Sequence, residues 1–155
     1  MTSFREKTSG YIEEVNGYLE NWLPDSNIPP KNLHNAMHYS VMNGGKRIRP
    51  LLTFAAAESL NIDHRMLLPA AASIELLHSF SLVHDDLPCM DDDDLRRGQP
   101  STHKAFNEAT AVLAADALLS LAFEILSSDL NFNGTKEINA SLVSLIANST
   151  GSKGI

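Results

Sequence analysis

Residues 78–98, HSFSLVHDDLPCMDDDDLRRG, join the end of an apolar segment to the densest charge in the chain. Six carboxylates fall within ten positions, at Asp85, Asp86 and residues 91–94. Carboxylates this close together repel one another unless a positive group lies among them, and a hard divalent cation is the usual partner of an all-oxygen ligand set. The stretch therefore predicts a buried helix that ends at a cation site.

Asp85 and Asp91 are the two carboxylates best placed to share that cation. Asp85 lies at the predicted C-terminal end of a helix, where the macrodipole makes a carboxylate unfavourable, so its presence indicates a use. Pro88 interrupts the helix just beyond, and Asp91 can then turn back towards Asp85. Two such ligands, completed by water and phosphate, describe a common Mg²⁺ site, which is our prediction.

Two alternatives apply to the acidic cluster. A solvated acidic loop remains open when the cluster is considered by itself. An EF-hand loop that starts at Asp93 would place Gly98 correctly at its sixth position, but it would put Leu95 and Arg97 where oxygen ligands are required. The EF-hand interpretation therefore fails.

Positive residues near the cluster indicate an anionic substrate that carries a diphosphate. Arg96 and Arg97 follow the acids directly, and Lys46 and Arg49 stand at the predicted start of another helix, a geometry that suits phosphate. His78, on the helix that leads into the cluster, could donate to a phosphate. The alternatives are surface charge for the basic residues and a satisfied core position for His78.

Composition places the chain among folded proteins of one domain, with 155 residues and 43% hydrophobic residues. The six clustered carboxylates account for all but one unit of the net charge of −7, so the acidity belongs to a site. Because no basic face outweighs it, nucleic acid is not an expected partner.

Cysteine content and apolar patterning predict a cytoplasmic protein. Cys89, the one cysteine, excludes an internal disulfide framework, and its acidic neighbours argue against a nucleophile because negative charge nearby disfavours a thiolate. No uninterrupted apolar run approaches the roughly 20 residues of a membrane span, and the N-terminal residues lack a signal-peptide core. We therefore expect no membrane association.

Apolar residues at helical spacing predict an all-α bundle in one domain, without strands. The predicted helices cover residues 4–23, 31–42, 51–60, 70–86, 103–126 (with an irregularity near Asn107) and 136–148, with a turn at 131–135. The fourth is apolar almost all round, which predicts a central position. Asp116, within the fifth, is expected to make a buried structural hydrogen bond.

Three motifs together resemble the trans-isoprenyl diphosphate synthases, above all the bacterial farnesyl type. They are GGKRIRP at residues 44–50, HDDLPCMDDDDLRRG at 84–98 and PSTH at 100–103. The resemblance implies an all-α helical bundle of the isoprenoid synthase type. It also implies a Mg²⁺-dependent head-to-tail condensation of isopentenyl diphosphate with an allylic diphosphate, dimethylallyl and then geranyl, to give farnesyl diphosphate.

The resemblance also implies a role for each matching residue. Asp85 and Asp91 correspond to direct metal ligands, with Asp86 in support, and Arg96 to a contact of the allylic diphosphate. The residues that correspond to the isopentenyl diphosphate site are Lys46, Arg49, His78 and Arg97.

Phe80 is the residue that the resemblance connects with product length. It lies five positions before Asp85, where a bulky ring would form the floor of the cavity in a farnesyl diphosphate synthase. A geranylgeranyl diphosphate synthase would more often carry a smaller or non-aromatic side chain there. Phe80 as an ordinary core residue remains the alternative.

The resemblance is incomplete, because members of the family are longer and carry a second aspartate-rich motif on later helices. We therefore expect residues 1–155 to be the N-terminal portion of a single prenyltransferase domain whose C-terminal half is absent, and to be inactive alone. The intact family is usually homodimeric. A non-catalytic partner subunit is a further alternative, although the retention of Asp85 and Asp91 argues against it.

Overall fold

The computed structural model describes residues 3–128 and 136–154, where the regular structure is helical apart from one short hairpin. The helices are α1 (Phe4–Trp22), α2 (Lys31–Met42), α3 (Ile48–Ser59), α4 (Leu68–Asp85), α5 (Thr102–Ala105), α6 (Glu108–Ser127) and α7 (Lys136–Thr150), with a 3-10 helix at His64–Leu67. The hairpin strands are β1 (Leu95–Arg96) and β2 (Gln99–Pro100). The predicted all-α bundle is confirmed.

The ends of α2 and α3 create the loop that later borders the site. α2 ends where predicted because Gly44 and Gly45 follow with φ of +77° and +119°, which cannot continue a right-handed helix. α3 begins at Ile48, three residues before its predicted start. Pro50 then falls within the first turn, where its missing N–H would have no acceptor.

α4 is the central helix of the bundle, as its sequence predicts. It packs against α1, α2, α3 and α6. Small residues on the facing helices, such as Ala72 and Ala122, are fully buried and let α4 and α6 approach closely. Ser73 Oγ donates to the Ala122 carbonyl at 2.9 Å across this contact. The C-terminal end of α4 is therefore held in place for the residues that follow.

Length and hydropathy alone would also let two segments span a membrane, although neither is an uninterrupted apolar run. These segments are His64–Asp85 and Glu108–Ser127. Of the most apolar 18-residue part of each segment, 56% in the first and 44% in the second is buried in the bundle. Helices at the centre of a bundle have this composition because they are covered on most sides. The packing of α4 against α6 covers part of each segment.

The predicted helix at residues 103–126 is divided into α5 and α6. The break lies at Phe106 and Asn107, and the Asn107 side chain caps α6 by accepting from Thr110 N at 2.8 Å. The expected burial of Asp116 is wrong. Its side chain is exposed, and Oδ1 lies 3.8 Å from His84 Nε2.

The hairpin contradicts the prediction of a chain without strands. Leu95 pairs with Pro100 and Arg96 with Gln99 in antiparallel register. The two central residues, Arg97 and Gly98, have φ of +55° and +80°, as a type I′ turn requires. Strands of two residues are too short to show an alternating pattern in sequence.

The last described helix, α7, extends two residues beyond its predicted end. The turn predicted at residues 131–135 lies outside the described residues.

Candidate functional site

The loop after α4 turns back on the helix that it leaves. Asp91 N donates to the Asp85 carbonyl at 2.8 Å, and Met90 N and Asp92 N donate to the Leu87 carbonyl at 2.8 and 3.1 Å. Leu87 is buried and anchors the loop against the bundle. The backbone therefore brings Asp91 next to Asp85, as the sequence predicts from Pro88.

Three of the six clustered carboxylates have cationic partners. Asp86, only 2% exposed, accepts from Arg96 Nε at 2.9 Å, and the Arg96 Nη2 group donates to both Asp86 and Asp93. Hydrogen bonding to Asp86 raises the pKa of Arg96. Asp94 pairs with Lys104 at 2.8 Å, and this hydrogen bond lowers the pKa of Asp94. These carboxylates are therefore neutralised within the protein.

The other three carboxylates, Asp85, Asp91 and Asp92, make no hydrogen bond or ion pair through their side chains to the part of the chain that the structure describes. Asp85 is half-buried, whereas Asp91 and Asp92 are exposed. Carboxylates left unpaired beside a helix C-terminus are at a disadvantage until a cation joins them. The negative charge that remains available lies at Asp85 and its two neighbours across the turn.

The donor set fits Mg²⁺ in the way that the sequence predicts. Within residues 3–128 and 136–154, no group of three or more His, Cys, Asp or Glu side chains is arranged to hold a metal ion. Mg²⁺ does not need such a cage, because it commonly keeps several waters and binds through one or two carboxylates and substrate phosphates. Asp85 and Asp91 supply such a pair, and their role as ligands stays a prediction.

A basic cleft of about 600 Å³ lies beside the acidic loop. It brings together the four residues predicted for isopentenyl diphosphate: Lys46 from the α2–α3 loop, Arg49 from α3, His78 from α4 and Arg97 from the hairpin turn. The side chains of Lys46 and Arg49 are exposed and make no hydrogen bond or ion pair to the described residues. Their charge is therefore available to an anion, while their role remains a prediction.

His78 is half-buried in the wall of this cleft. Burial lowers its pKa below the ordinary value of 6.5, and the positive charges of Arg49 and Arg97 act in the same direction. Glu75 opposes this shift. His78 is therefore neutral near pH 7 while no anion occupies the cleft.

A buried ion pair at the back of the cleft was not assigned from the sequence. Arg47 is 3% exposed and donates to Glu75 at 2.9 Å, to the Val41 carbonyl at 2.9 Å and to Asn16 Oδ1 at 2.8 Å. It thereby joins α1, α2 and α4 behind the α2–α3 loop. The signal available in the sequence was Glu75, an acid within an apolar helix, because a buried charge must be paired.

Phe80 lies between the two hydrophobic clusters of the bundle, on the α4 turn before Asp85. It is half-buried, and its ring meets the His84 ring edge to face at 4.7 Å between centroids. This position is compatible with a cavity floor and with an ordinary core contact, so its role in product length stays a prediction. Cys89 is an exposed free thiol in the acidic loop.

The chain is similar in sequence and in structure to known prenyl diphosphate synthases. A family model described as Polyprenyl synthetase matches residues 30–151. The chain is 49% identical over 152 residues to the farnesyl diphosphate synthase of Micrococcus luteus, covering 97% of this chain and 51% of that protein. It is 54% identical over 113 residues to the heterodimeric geranylgeranyl pyrophosphate synthase large subunit 1, chloroplastic, of Arabidopsis thaliana, covering 71% of this chain and 30% of that protein.

The crystal structure of a FPP/GFPP synthase from Zymomonas mobilis is similar with a TM-score of 0.90 and 40% identity, covering 97% of this chain and 54% of that one. The chain thus spans about half the length of the bacterial relatives that it resembles. The family match extends from α2 to α7 and includes every residue of the acidic loop and the basic cleft. This chain belongs to the polyprenyl synthetase family.

Proposed function

We propose that the protein containing this chain is a Mg²⁺-dependent trans-prenyltransferase that makes farnesyl diphosphate. It would condense isopentenyl diphosphate with dimethylallyl diphosphate and then with geranyl diphosphate. One observation carries the proposal. Carboxylates without a partner among the described residues lie in the acidic loop with an anchored arginine, and the basic cleft beside that loop contains cations, Lys46 and Arg49, that likewise have no partner there. The diphosphate that leaves and the diphosphate that is kept would thus bind at two different sites.

On the acidic side, the reaction requires an allylic diphosphate to leave. Asp85 and Asp91 would hold Mg²⁺, which when bound would neutralise the negative charge of the leaving diphosphate. Arg96 is oriented by the buried Asp86 and keeps donors for phosphate oxygens. The allylic carbon–oxygen bond breaks and leaves a carbocation, which the apolar side chains of α4 and α6, including Phe80, shelter from water.

On the basic side, isopentenyl diphosphate is bound and not cleaved. Lys46, Arg49 and Arg97 would bind its diphosphate, and His78 would add a ring N–H donor. The double bond of the bound molecule attacks the allylic carbocation, a carbon–carbon bond forms and a proton is lost. The cleft residues thus contribute position, which makes a reaction between two substrates effectively unimolecular.

Product length is the part of the proposal with a competing candidate. Phe80 supports the farnesyl product because a ring on the turn before Asp85 limits the space for a growing chain. The Arabidopsis relative is named for geranylgeranyl pyrophosphate, which supports the alternative. Incubation of the full-length protein with labelled isopentenyl diphosphate and dimethylallyl diphosphate should yield a C15 product; a C20 product would establish the alternative.

Assembly and independence of the chain are also proposals. We expect a homodimer for the full-length protein, measured by analytical ultracentrifugation, although the Arabidopsis relative is named as one subunit of a heterodimer. A non-catalytic partner subunit would show no turnover alone despite intact Asp85 and Asp91. We expect the 155-residue chain to show no allylic elongation, and detectable elongation would overturn this. The cytoplasmic location stays a prediction from composition.

A further inference from the structure

The two arginines of the hairpin turn have different partners. Arg96 is directed to the buried Asp86, whereas Arg97 is directed to the α2–α3 loop. Arg97 is the first central residue of the type I′ turn, and its φ of +55° is uncommon for a residue with a side chain. The two neighbouring guanidinium groups are therefore held by different parts of the protein.

Gly44 and Gly45 receive the Arg97 guanidinium. Arg97 Nη1 donates to the Gly44 carbonyl. A Cβ atom at Gly45 would lie 2.6 Å from Arg97 Nη1 and 2.8 Å from Cζ, closer than real Cβ atoms approach other atoms. The guanidinium group thus occupies the space that any other residue at position 45 would fill.

We propose that Gly45 is a positioning residue for the diphosphate of isopentenyl diphosphate, acting through Arg97. This inference rests on the proposed function, because that function supplies the anion. One N–H of Arg97 is taken by the Gly44 carbonyl, and its Nε and Nη2 groups make no hydrogen bond to the described residues. The two glycines hold the guanidinium on one side and leave donors for phosphate oxygens on the other.

The physical reason lies in the flexibility of arginine. A long side chain loses rotamer freedom when it binds a ligand, and a side chain that is already held loses less. An alanine at position 45 would displace the end of a flexible side chain and no backbone atom, so the fold should survive. The effect should therefore appear in substrate binding.

Gly45→Ala in the full-length protein tests the proposal. We expect the KM for isopentenyl diphosphate to rise about 3- to 10-fold, with kcat and the KM for the allylic diphosphate nearly unchanged. Gly10→Ala is the matched control, since Gly10 lies in α1, where an added Cβ would meet no atom beyond its own helix backbone within 4 Å. An unchanged KM for isopentenyl diphosphate, or an equal rise in the KM of both substrates, would overturn the proposal.

Backbone strain at Gly45 needs a separate control because its φ is +119°. Gly44→Ala introduces a side chain at φ +77° into open space, so it strains the loop without meeting Arg97 and should raise the KM less. In an Arg97→Ala background, Gly45→Ala should cause no further rise in KM. A rise of the same size in that background would show that strain, and not Arg97, is responsible.

Two outcomes need an alternative measurement. If Gly45→Ala does not fold, Arg97→Lys replaces it. One ammonium cannot keep the forked geometry, so the KM should rise nearly as far as with Arg97→Ala, and a KM near wild type would overturn the proposal. If the wild-type protein shows no condensation, the proposed function fails. The binding of inorganic diphosphate, measured by calorimetry, then tests whether Gly45 positions Arg97. Gly45→Ala should weaken this binding only when Arg97 is present.

Discussion

The acidic loop after α4 and the basic cleft beside it share a hairpin, but they differ in which of their charged residues have partners. In the loop, Arg96 and Lys104 neutralise three of the six carboxylates. In the cleft, the deeply buried Arg47 is paired with Glu75, whereas Lys46 and Arg49 are exposed and unpaired among the described residues. Burial explains the pairing of Asp86 and Arg47, because a charge removed from water needs a partner, whereas a charge at the surface can be paired or unpaired.

The site therefore contains charged residues that hold it together and charged residues that can bind a ligand. Asp86 and Arg47 are 2% and 3% exposed, and each is fully engaged within the protein. Their neighbours Asp85 and Arg49, one and two residues away, are not. Neighbouring charges in a motif therefore need not share a function.

The largest effect is expected at the metal pair. Asp85→Asn in the full-length protein should lower kcat by about 10³-fold or more. A neutral amide would hold Mg²⁺ less tightly than a carboxylate, and Mg²⁺ would stabilise the leaving group. Steady-state kinetics with Mg²⁺ measures this, and circular dichroism should show an unchanged fold. Asp92→Asn is the control, an unpaired carboxylate of the same loop that is not part of the pair. An equal loss with Asp92→Asn would mean that the loop supplies only general acidity.

The buried pair should govern stability. Arg47→Met leaves Glu75 buried without a partner, and we expect the free energy of unfolding to fall by about 3–5 kcal/mol. Denaturant unfolding of the full-length protein measures this. Adding Glu75→Leu should recover much of the loss because the orphaned charge is removed. Near-wild-type stability of Arg47→Met would show that this pair does not join the helices behind the cleft.

An exposed cation of the cleft should affect binding and leave stability intact. Arg49→Ala should raise the KM for isopentenyl diphosphate by about 10- to 100-fold, the range for losing hydrogen bonds to a charged group. Its unfolding midpoint should not change. Lys31→Ala, at the exposed start of α2, serves as the control with unchanged KM. A KM near wild type in Arg49→Ala would show that the anion binds elsewhere.

The smallest effect concerns the pH dependence of stability through His78. Its pKa is lowered in the folded protein, so the unfolded chain binds the proton more readily. Stability should therefore decrease as the pH falls through about 6.5, the ordinary histidine value, towards the lower folded value. His78→Gln should remove this part of the decrease, as unfolding midpoints at pH 7.5 and 5.5 would show. Equal pH dependence in both proteins would contradict the burial of a neutral His78.

Local patterns predicted the helices well and the short elements poorly. Helical spacing and flanking Pro or Gly residues place α1 and α2 within a residue of their observed ends. The hairpin cannot be predicted because two residues per strand carry no period, and the Asn107 cap shows in the sequence only as an irregularity. The site residues could be named from their motifs. The partner of Glu75 and the contact of Gly44 with Arg97 could not, since the paired residues lie 28 and 53 positions apart.

Residue spacing, helix breakers and side-chain chemistry are local properties, and they are enough to predict the helical bundle, the family and the concentration of carboxylates after α4. Which of the charges are neutralised depends on how the chain folds. The desolvation of Asp86 and Arg47 depends on what packs over them, and their pairing depends on residues brought together by folding. In the site, Asp85, Asp91, Lys46 and Arg49 are among the charges that have no partner in the described part of the chain, and the fold leaves them in reach of solvent and of a ligand.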